Sequence, residues 1–184
     1  MFTGIVQAVG KIVRVGPLEV DAGALDLSDV AIGDSICVQG ACLTVTARTP
    51  RGFTSDVSDE TLRVTTSLDR PGAVNLEKAL AMGDKLDGHL VTGHVDGIAE
   101  VVRREGGLVA FRLPAELRKY VARKGSVCID GVSLTVNRAE GDLFEVNLIP
   151  HTLEVTTLGR LAPGARVNVE VDLIARYVER MLAR

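Results

Sequence analysis

The chain has 184 residues and a formal net charge of −3, from 21 lysines and arginines against 24 aspartates and glutamates. That length allows one or two domains, and the chain has no long basic run of the kind that nucleic-acid-binding proteins present. It also has no apolar run of about 18 residues and no basic stretch leading into an apolar segment at its start, so neither a membrane span nor a signal peptide is expected.

Short runs rich in Val, Ile, Leu and Thr predict five strands in the first half of the chain. They cover residues 6–15, 35–38, 43–47, 53–57 and 74–78. Gly16-Pro17 ends the first run, Gln39-Gly40-Ala41 forms a turn between the second and third, and residues 49–52 form a turn before the fourth. A short helix is predicted over residues 59–67, behind Ser58.

The second half predicts six strands, at residues 95–102, 109–113, 126–129, 134–137, 144–148 and 167–171. Helices are predicted over residues 114–123, where Pro114 takes a first helical position, and over residues 151–158, behind Pro150. From Asp172 onward the apolar residues recur at helical period and predict an amphipathic helix. Such a helix either packs on its own domain or joins subunits.

The two halves repeat each other. Residues 35–45 return as residues 126–136 with Ser, Cys, Gly, Leu, Thr and Val in register, Thr3-Gly4 returns as Thr92-Gly93, and Thr61-Leu62 returns as Thr152-Leu153. Regularly spaced short strands with turns between them indicate a barrel or sandwich. We therefore predict an all-β chain of two tandem β-barrels, over residues 1–86 and 87–171, followed by a helix over residues 172–184.

Polar residues that differ between the copies are candidates for chemistry. Cys42 aligns with Ser133, His94 with Ile5, Asp56 with Asn147, Ser58 with Ile149, and Glu60 with His151. The spacing of five residues between His89 and His94 fits neither one helix face nor one strand face, and no third ligand accompanies them, so a metal site is not expected. A triad of Asp172, a histidine and Ser133 is compatible by residue type, but no hydrolase motif surrounds Ser133.

Repeated hydroxyl and glycine residues indicate the kind of ligand. Thr44 and Thr135 repeat each other, as do Gly4 and Gly93, so each half offers similar hydroxyls and backbone amides. Such a set suits a flat heterocycle with polar edges. The three cysteines, Cys37, Cys42 and Cys128, are odd in number without metal-ligand spacing, which is typical of reduced thiols in a cytoplasmic protein.

These strings resemble the riboflavin synthase family of the trimeric alpha-chain type. The resemblance covers nearly the whole chain and includes Met1-Phe2-Thr3-Gly4-Ile5-Val6, residues 40–45, residues 60–62, residues 88–95, residues 130–136, and residues 148–153. It implies two six-stranded Greek-key barrels and a C-terminal helix that drives formation of a homotrimer. It also implies lumazine synthase as a further partner.

The resemblance also implies the reaction. Two molecules of 6,7-dimethyl-8-ribityllumazine dismutate, one giving a four-carbon unit to the other, to yield riboflavin and 5-amino-6-ribitylaminouracil. Neither metal nor cofactor takes part, and each site forms between the first barrel of one subunit and the second barrel of the next.

Catalytic and binding residues follow from the same resemblance. The catalytic candidates are His94, Cys42, Ser133, Thr135 and, in support, Asp172. The pocket of the first barrel is expected to contain Gly4, Ile5, Val6, Cys42, Leu43, Thr44, Asp56, Val57, Ser58, Asp59, Glu60 and Thr61, with Phe2 over the ring edge. The pocket of the second barrel is expected to contain Gly93, His94, Val95, Lys124, Ser133, Leu134, Thr135, Ile149, Pro150, His151, Thr152, Leu153 and Glu154.

One departure and two rival interpretations remain. His151 stands where the family usually has Glu. A non-catalytic lumazine- or flavin-binding protein of the same fold is the main alternative, although such proteins lose polar pocket residues that this chain keeps. A flavin-reductase-type barrel would need a nicotinamide domain, and no Gly-x-Gly-x-x-Gly fingerprint follows a strand here.

Overall fold

The computed structural model of the chain describes residues 1–183. In the first half, β1 (Ala8–Arg14), β2 (Leu18–Asp21), β3 (Ser35–Val38), β4 (Ala41–Thr44), β5 (Ala47–Thr49) and β6 (Gly52–Ser55) precede the short helix α1 (Asp59–Val64) and strand β7 (Gly72–Lys78). These strands form one antiparallel sheet in the order β4-β3-β7-β1-β2-β6-β5.

The second half repeats this arrangement. Its strands are β8 (Gly97–Glu105), β9 (Leu108–Arg112), β10 (Ser126–Ile129), β11 (Val132–Glu140), β12 (Leu143–Asn147) and β13 (Arg166–Val171). They close into a six-stranded barrel in the order β10-β11-β12-β9-β8-β13. Two 3₁₀ turns (Ala115–Tyr120 and Thr157–Arg160) and the helices α2 (Pro150–Val155) and α3 (Leu173–Leu182) complete it.

The prediction of two tandem barrels is confirmed, with one difference in the first half. There the strand equivalent to β11 is interrupted, so its two parts, β4 and β5, lie at opposite edges of the seven-stranded sheet. Only Val45 and Thr46 separate the two parts along the chain, and the Thr46 N–H donates to the Thr54 carbonyl at 2.8 Å. The sheet therefore curls back to its own edge.

Four local features differ from the predictions. Residues 18–21 form the strand β2, for which no strand was predicted, and β5 is separate from β4. The segment from Ala115 to Tyr120 is a 3₁₀ turn in which only Leu117 is buried, and not an α-helix. The predicted helix at 151–158 divides into α2 and a following 3₁₀ turn.

Each half has its own aliphatic core. Residues such as Ile12, Val20, Ile36 and Leu76 fill the first, and Val101, Phe111, Val136 and Phe144 fill the second. Phe111 and Phe144 stack with ring centroids 5.1 Å apart, which adds to the stabilisation from burial. A third, smaller cluster of Phe2, Cys37, Val91 and Cys128 lies apart from both cores.

A pair of equivalent buried contacts joins the two halves. The Asn75 side-chain amide donates to the Asp130 carbonyl at 2.8 Å, and the Asn168 amide donates to the Gln39 carbonyl at 2.8 Å. Gln39 and Asp130 are equivalent turn residues, and both have positive φ angles. Burial raises the pKa of Asp130 to about 7, although hydrogen bonds from Asn168 and Gln39 act in the opposite direction. The halves are thus related by an approximate two-fold axis at these turns.

Asp172 caps the N-terminus of helix α3, because its carboxylate accepts a hydrogen bond from the Ile174 N–H at 2.9 Å. Its polar side is fixed to the second barrel by the ion pair between Arg176 and Asp96 at 2.6 Å and by Glu179, which contacts Lys119 and Tyr120. The apolar side faces away, with Tyr177 and Met181 exposed. The predicted helix is confirmed up to Leu182, and Arg184 lies outside the described residues. No helix within residues 1–183 is both long and apolar enough to cross a membrane.

Candidate active site

Two extended segments lie between the barrels, and each contacts the barrel that it does not lead into. We name residues 2–6 the first lead segment and residues 91–95 the second lead segment, because each precedes a barrel in the chain. The Ser133 N–H, on β11 of the second barrel, donates to the Gly4 carbonyl at 2.7 Å, and the Cys42 N–H, on β4 of the first barrel, donates to the Gly93 carbonyl at 2.8 Å. The two segments also pair with each other through Phe2 and Val91.

This pairing differs from the predicted division of the site between the barrels. Val6 was expected in the pocket of the first barrel, yet it packs against the core of the second. Val95 was expected in the second pocket, yet it packs against the core of the first. Ile5, which is 45 % exposed, borders a cavity on the first barrel. Each lead segment therefore lies between the barrels and contributes to both.

Glycine is required at the centre of each lead segment. Gly4 and Gly93 both have φ of +76°, which is strained for any residue with a Cβ. A Cβ on Gly4 would lie 2.7 Å from the Ser133 Cβ, and one on Gly93 would lie 2.6 Å from the Cys42 Cβ. The close approach of each glycine to its partner strand therefore depends on the absence of a side chain.

A buried glutamate holds each lead segment. Glu77, on β7, accepts hydrogen bonds from the Thr3 N–H at 2.7 Å, the Thr3 hydroxyl at 2.8 Å and the Gly4 N–H at 3.0 Å. Burial raises the pKa of Glu77, whereas these donors act to lower it. Glu170, on β13, accepts the equivalent bonds from the Thr92 N–H, the Thr92 hydroxyl and the Gly93 N–H at 2.6–2.8 Å.

Ser133 has a histidine partner that the copy-to-copy comparison did not select. The His89 Nδ1 lies 2.6 Å from the Ser133 Oγ, and the His89 N–H donates to the Thr3 carbonyl at 3.1 Å. Burial lowers the pKa of His89, while the negative charges of Asp172 and Glu170 oppose that shift. The neutral ring that results can accept the Ser133 proton.

Cys42 occupies the equivalent position in the first barrel and is the most accessible of the three free cysteines. It is partly exposed, while Cys37 and Cys128 are fully buried. Burial raises the pKa of both buried thiols well above the usual value, so they are unreactive. Cys42 is therefore the thiol that reagents and ligands can reach.

The other residues predicted for the first barrel divide into an exposed and a buried group. Thr44, Asp56, Ser58, Asp59 and Glu60 are exposed, Thr61 is half-buried, and Ser58 caps α1 by accepting from the Thr61 N–H at 3.1 Å. Leu43 is buried in the barrel core, and Val57 packs against that core. Asp56 and Val57 also line a mainly apolar cavity of about 530 Å³ with Val15, Leu18, Leu62 and Leu68.

A second cavity lies at the first lead segment. It measures about 770 Å³ and is bordered by Thr3, Ile5, Ser35, Glu77 and Lys78, among others. Its walls combine the strand ends of the first barrel with residues 79–87, which connect the two halves. A pocket of this size, lined by both polar and apolar residues, fits a ligand of heterocycle size.

The residues predicted for the second barrel also lie on an accessible surface. Thr135, Lys124, Ile149, Pro150, His151 and Glu154 are exposed, Ser133 and Thr152 are half-buried, Leu134 is in the core, and Leu153 packs against it. Lys124 has a φ of +66°, where the first half has Gly33. A lysine held in a conformation that favours glycine indicates a constraint at this position.

Three further predicted residues are Phe2, Asp172 and His94. Phe2, expected over a ligand ring, is completely buried against Cys37, Val91 and Cys128. Asp172 caps α3, and its charge acts on His89. His94 is exposed, and its backbone N–H donates a hydrogen bond to the Thr92 hydroxyl at 3.3 Å. No group of three or more His, Cys, Asp or Glu side chains within residues 1–183 is arranged to hold a metal ion.

Sequence reasoning missed His89, Glu77 and Glu170 as site residues. The two glutamates did leave a signal, since Val74-Asn75-Leu76-Glu77 returns as Val167-Asn168-Val169-Glu170. A carboxylate repeated in the same place on a buried strand requires a repeated set of hydrogen-bond donors. His89 left no such signal, because nothing precedes the first copy at the equivalent position.

Comparison with known proteins supplies the context for this geometry. The family model described as a lumazine binding domain matches residues 3–79 and 92–172. Riboflavin synthase from Mycobacterium bovis is 48 % identical over 198 aligned residues, covering 99 % of this chain and 98 % of that protein. Riboflavin synthase from Photobacterium phosphoreum is 45 % identical over 194 residues, covering 99 % of this chain and 89 % of that protein.

Solved structures of LumP share the fold. LumP complexed with 6,7-dimethyl-8-(1'-D-ribityl) lumazine superposes with a TM-score of 0.81 at 27 % identity, covering 93 % of this chain and 99 % of that one. LumP complexed with riboflavin gives a TM-score of 0.82 at 28 % identity over the same shares. The enzymes are thus more similar in sequence to this chain than LumP is.

Proposed function

This chain belongs to the riboflavin synthase family, and on that basis we propose that it is the enzyme that converts two molecules of 6,7-dimethyl-8-ribityllumazine into riboflavin and 5-amino-6-ribitylaminouracil. The observation that carries the proposal is the presence of two equivalent sites, at Cys42 and Ser133, each completed by a lead segment. A reaction between two copies of one substrate needs two similar binding sites, and the equivalent positions of Cys42 and Ser133, one on each barrel, are suited to that need.

The stoichiometry of this reaction requires no redox partner. One lumazine gives a four-carbon unit to the other, and the two products together contain the same atoms and electrons as the two substrate molecules. The protein must hold two rings face to face and move protons, and such positioning can supply much of the rate. The C7 methyl group of one lumazine loses a proton, and a nucleophile adds at C7 of the other.

The candidate groups differ between the two sites in a way that suits two roles. At the second barrel, neutral His89 can take a proton from Ser133 and so prepare the hydroxyl, or a water beside it, to add at C7. At the first barrel, the Cys42 N–H donates to the carbonyl of Gly93, the residue before His94, so the candidate thiol and imidazole belong to paired backbone segments. Thr44 and Thr135 offer equivalent hydroxyls for ring edges, and Asp172 influences the charge of His89.

A direct assay tests the proposal. Purified protein incubated with 6,7-dimethyl-8-ribityllumazine alone should form riboflavin, detected by its fluorescence, together with an equal amount of the uracil product. Metal chelators should have no effect on the rate. A lumazine that binds but keeps its absorbance unchanged would favour the second candidate, a non-catalytic carrier, which the likeness to LumP supports more weakly.

We further propose a homotrimer in which the first barrel of one subunit and the second barrel of the next form each site. The support is the apolar side of α3, where Ile174, Tyr177 and Met181 are 63–83 % exposed although the helix is fixed to its own barrel by polar contacts. An apolar stripe of this kind is typically covered by a partner. The three free thiols fit a reducing compartment such as the cytoplasm.

Replacing Tyr177 and Met181 by Asp should therefore convert the trimer into monomers, because burying two unpaired carboxylates in a subunit contact is strongly unfavourable. Sedimentation velocity measures the change, and riboflavin formation should fall about 100-fold, because each site would lose half of its groups. Ile32→Asp is the matched control, since Ile32 is an exposed apolar residue of the first barrel at 68 %. Monomers with full activity would contradict the site between subunits, and an unchanged trimer would contradict the role of α3.

A further inference from the structure

We propose that Glu77 and Glu170 are positioning residues that act across the barrel boundary. Each carboxylate lies on the last strand of one barrel and fixes the lead segment that completes the site of the other barrel. The inference rests on the proposed function for its consequence in catalysis, but its geometric content can be measured without substrate.

The first step of the argument is the path of hydrogen bonds. Glu77, on the first barrel, accepts from Thr3 and Gly4, and the Gly4 carbonyl accepts from Ser133 on the second barrel. Glu170, on the second barrel, accepts from Thr92 and Gly93, and the Gly93 carbonyl accepts from Cys42 on the first barrel. Both paths therefore begin on one barrel and end on the other.

The second step is that each path also fixes the residue after the glycine. The Thr3 hydroxyl donates to Glu77 and accepts from the Ile5 N–H at 3.1 Å. The Thr92 hydroxyl donates to Glu170 and accepts from the His94 N–H at 3.3 Å. Loss of Glu170 should therefore release His94 and Gly93 together, beside Cys42.

The third step concerns the unfavourable free energy of burying the two carboxylates. Both glutamates are 3 % exposed, and burying a carboxylate is unfavourable unless several donors satisfy it. Neither forms an ion pair with a lysine or arginine among the described residues. Three hydrogen bonds from one lead segment replace such a partner in each case, so the carboxylate and the segment hold each other in place.

Alkylation of Cys42 by iodoacetamide tests the path from Glu170. Glu→Gln is the appropriate change, because it keeps the side-chain volume but replaces one of the two accepting oxygens by an NH2 donor. Glu170→Gln should accelerate alkylation about tenfold, as expected for the loss of one or two hydrogen bonds, whereas Glu77→Gln should leave the rate within about twofold of the wild type. Cys37 and Cys128 are fully buried and do not contribute.

A reciprocal reporter tests the path from Glu77. In the Cys42→Ser, Ser133→Cys background, the reactive thiol lies on the second barrel. There Glu77→Gln should accelerate alkylation about tenfold and Glu170→Gln should have little effect. Glu145→Gln, which removes a half-buried carboxylate from β12, is the control in both backgrounds.

The outcomes separate this inference from the proposed function. Equal acceleration of both thiols by either variant, acceleration only of the thiol on the glutamate's own barrel, or no acceleration would each overturn the crossed arrangement. All of these measurements are made without substrate, so they remain decisive if the wild-type protein fails to convert lumazine. If it does convert lumazine, each Gln variant should lower kcat about tenfold and leave lumazine binding at the site on the glutamate's own barrel nearly unchanged.

Discussion

Gly93→Ala is expected to lower kcat/KM for riboflavin formation by about 100-fold or more, because it displaces the second lead segment from Cys42. Alanine at a φ of +76° costs about 1–2 kcal/mol in backbone strain alone. Its Cβ would also lie 2.6 Å from both the Cβ and the backbone N of Cys42, a contact that neither atom can avoid without moving its strand. The hydrogen bond from Cys42 to the Gly93 carbonyl should break, and His94 should move with it.

Two further variants separate the effect of the clash with the neighbouring strand from the effect of backbone strain at a positive φ. Gly164→Ala has a similar φ of +86° but meets nothing within 4 Å, so it should cost stability and leave kcat unchanged. Gly4→Ala should behave like Gly93→Ala, because its Cβ would lie 2.7 Å from Ser133. Steady-state kinetics and thermal unfolding of the three variants check this. If Gly93→Ala retained the activity of Gly164→Ala, the close approach of the segment to Cys42 would not matter for catalysis.

The strands could be predicted from sequence because their signal is local. Alternation of apolar and polar residues marks one buried face, and the repeat of residues 35–45 at 126–136 gave the strands of that stretch a second sample. Strand β2 was missed because its four residues, Leu18–Asp21, lie outside the repeated stretch that supported the equally short β3 and β10. The interruption between β4 and β5 was missed because residues 43–47, which predicted a single strand, cross it without a glycine or proline.

The crossing of the lead segments could not be predicted from sequence. Spacing and composition indicate that Thr3-Gly4 and Thr92-Gly93 are equivalent, but they do not say on which barrel an extended segment lies. That choice depends on the contact between the two halves, where Asn75 and Asn168 exchange hydrogen bonds with Asp130 and Gln39. Because the halves face each other there, each lead segment is placed between two barrels.

His89 illustrates a different limit of sequence reasoning. Comparing the copies finds residues that changed from one half to the other, such as Cys42 and Ser133, but it cannot evaluate a residue without a counterpart. His89 comes before the second lead segment, and its backbone N–H bonds to the first lead segment at Thr3. Its side chain then reaches Ser133, which no spacing within the second half indicates. The asymmetry between the two sites thus comes partly from residues that only one copy has.

Removing the His89 side chain should lower kcat by about 100-fold at neutral pH, as is typical for loss of a general base, while lumazine still binds. Burial lowers the pKa of His89 below its usual value of 6.5, so the ring is neutral and able to accept a proton at pH 7. As the pH falls through that lowered pKa, the ring becomes protonated and activity should decline. The acidic limb of the kcat profile should therefore lie below pH 6.5 in the wild type and disappear in His89→Ala.

A double-mutant cycle decides whether His89 acts through Ser133. If the two side chains work as one unit across their 2.6 Å contact, Ser133→Ala and the double variant should be no slower than His89→Ala by more than about twofold. If the kcat losses of the two single variants multiply in the double variant, the two groups act separately and the contact between them is structural. Arg138→Ala, an exposed change on the same strand β11, controls for general disturbance of that strand. An acidic limb that persists in His89→Ala would assign the titration to another group, and the serine would then need a different proton acceptor.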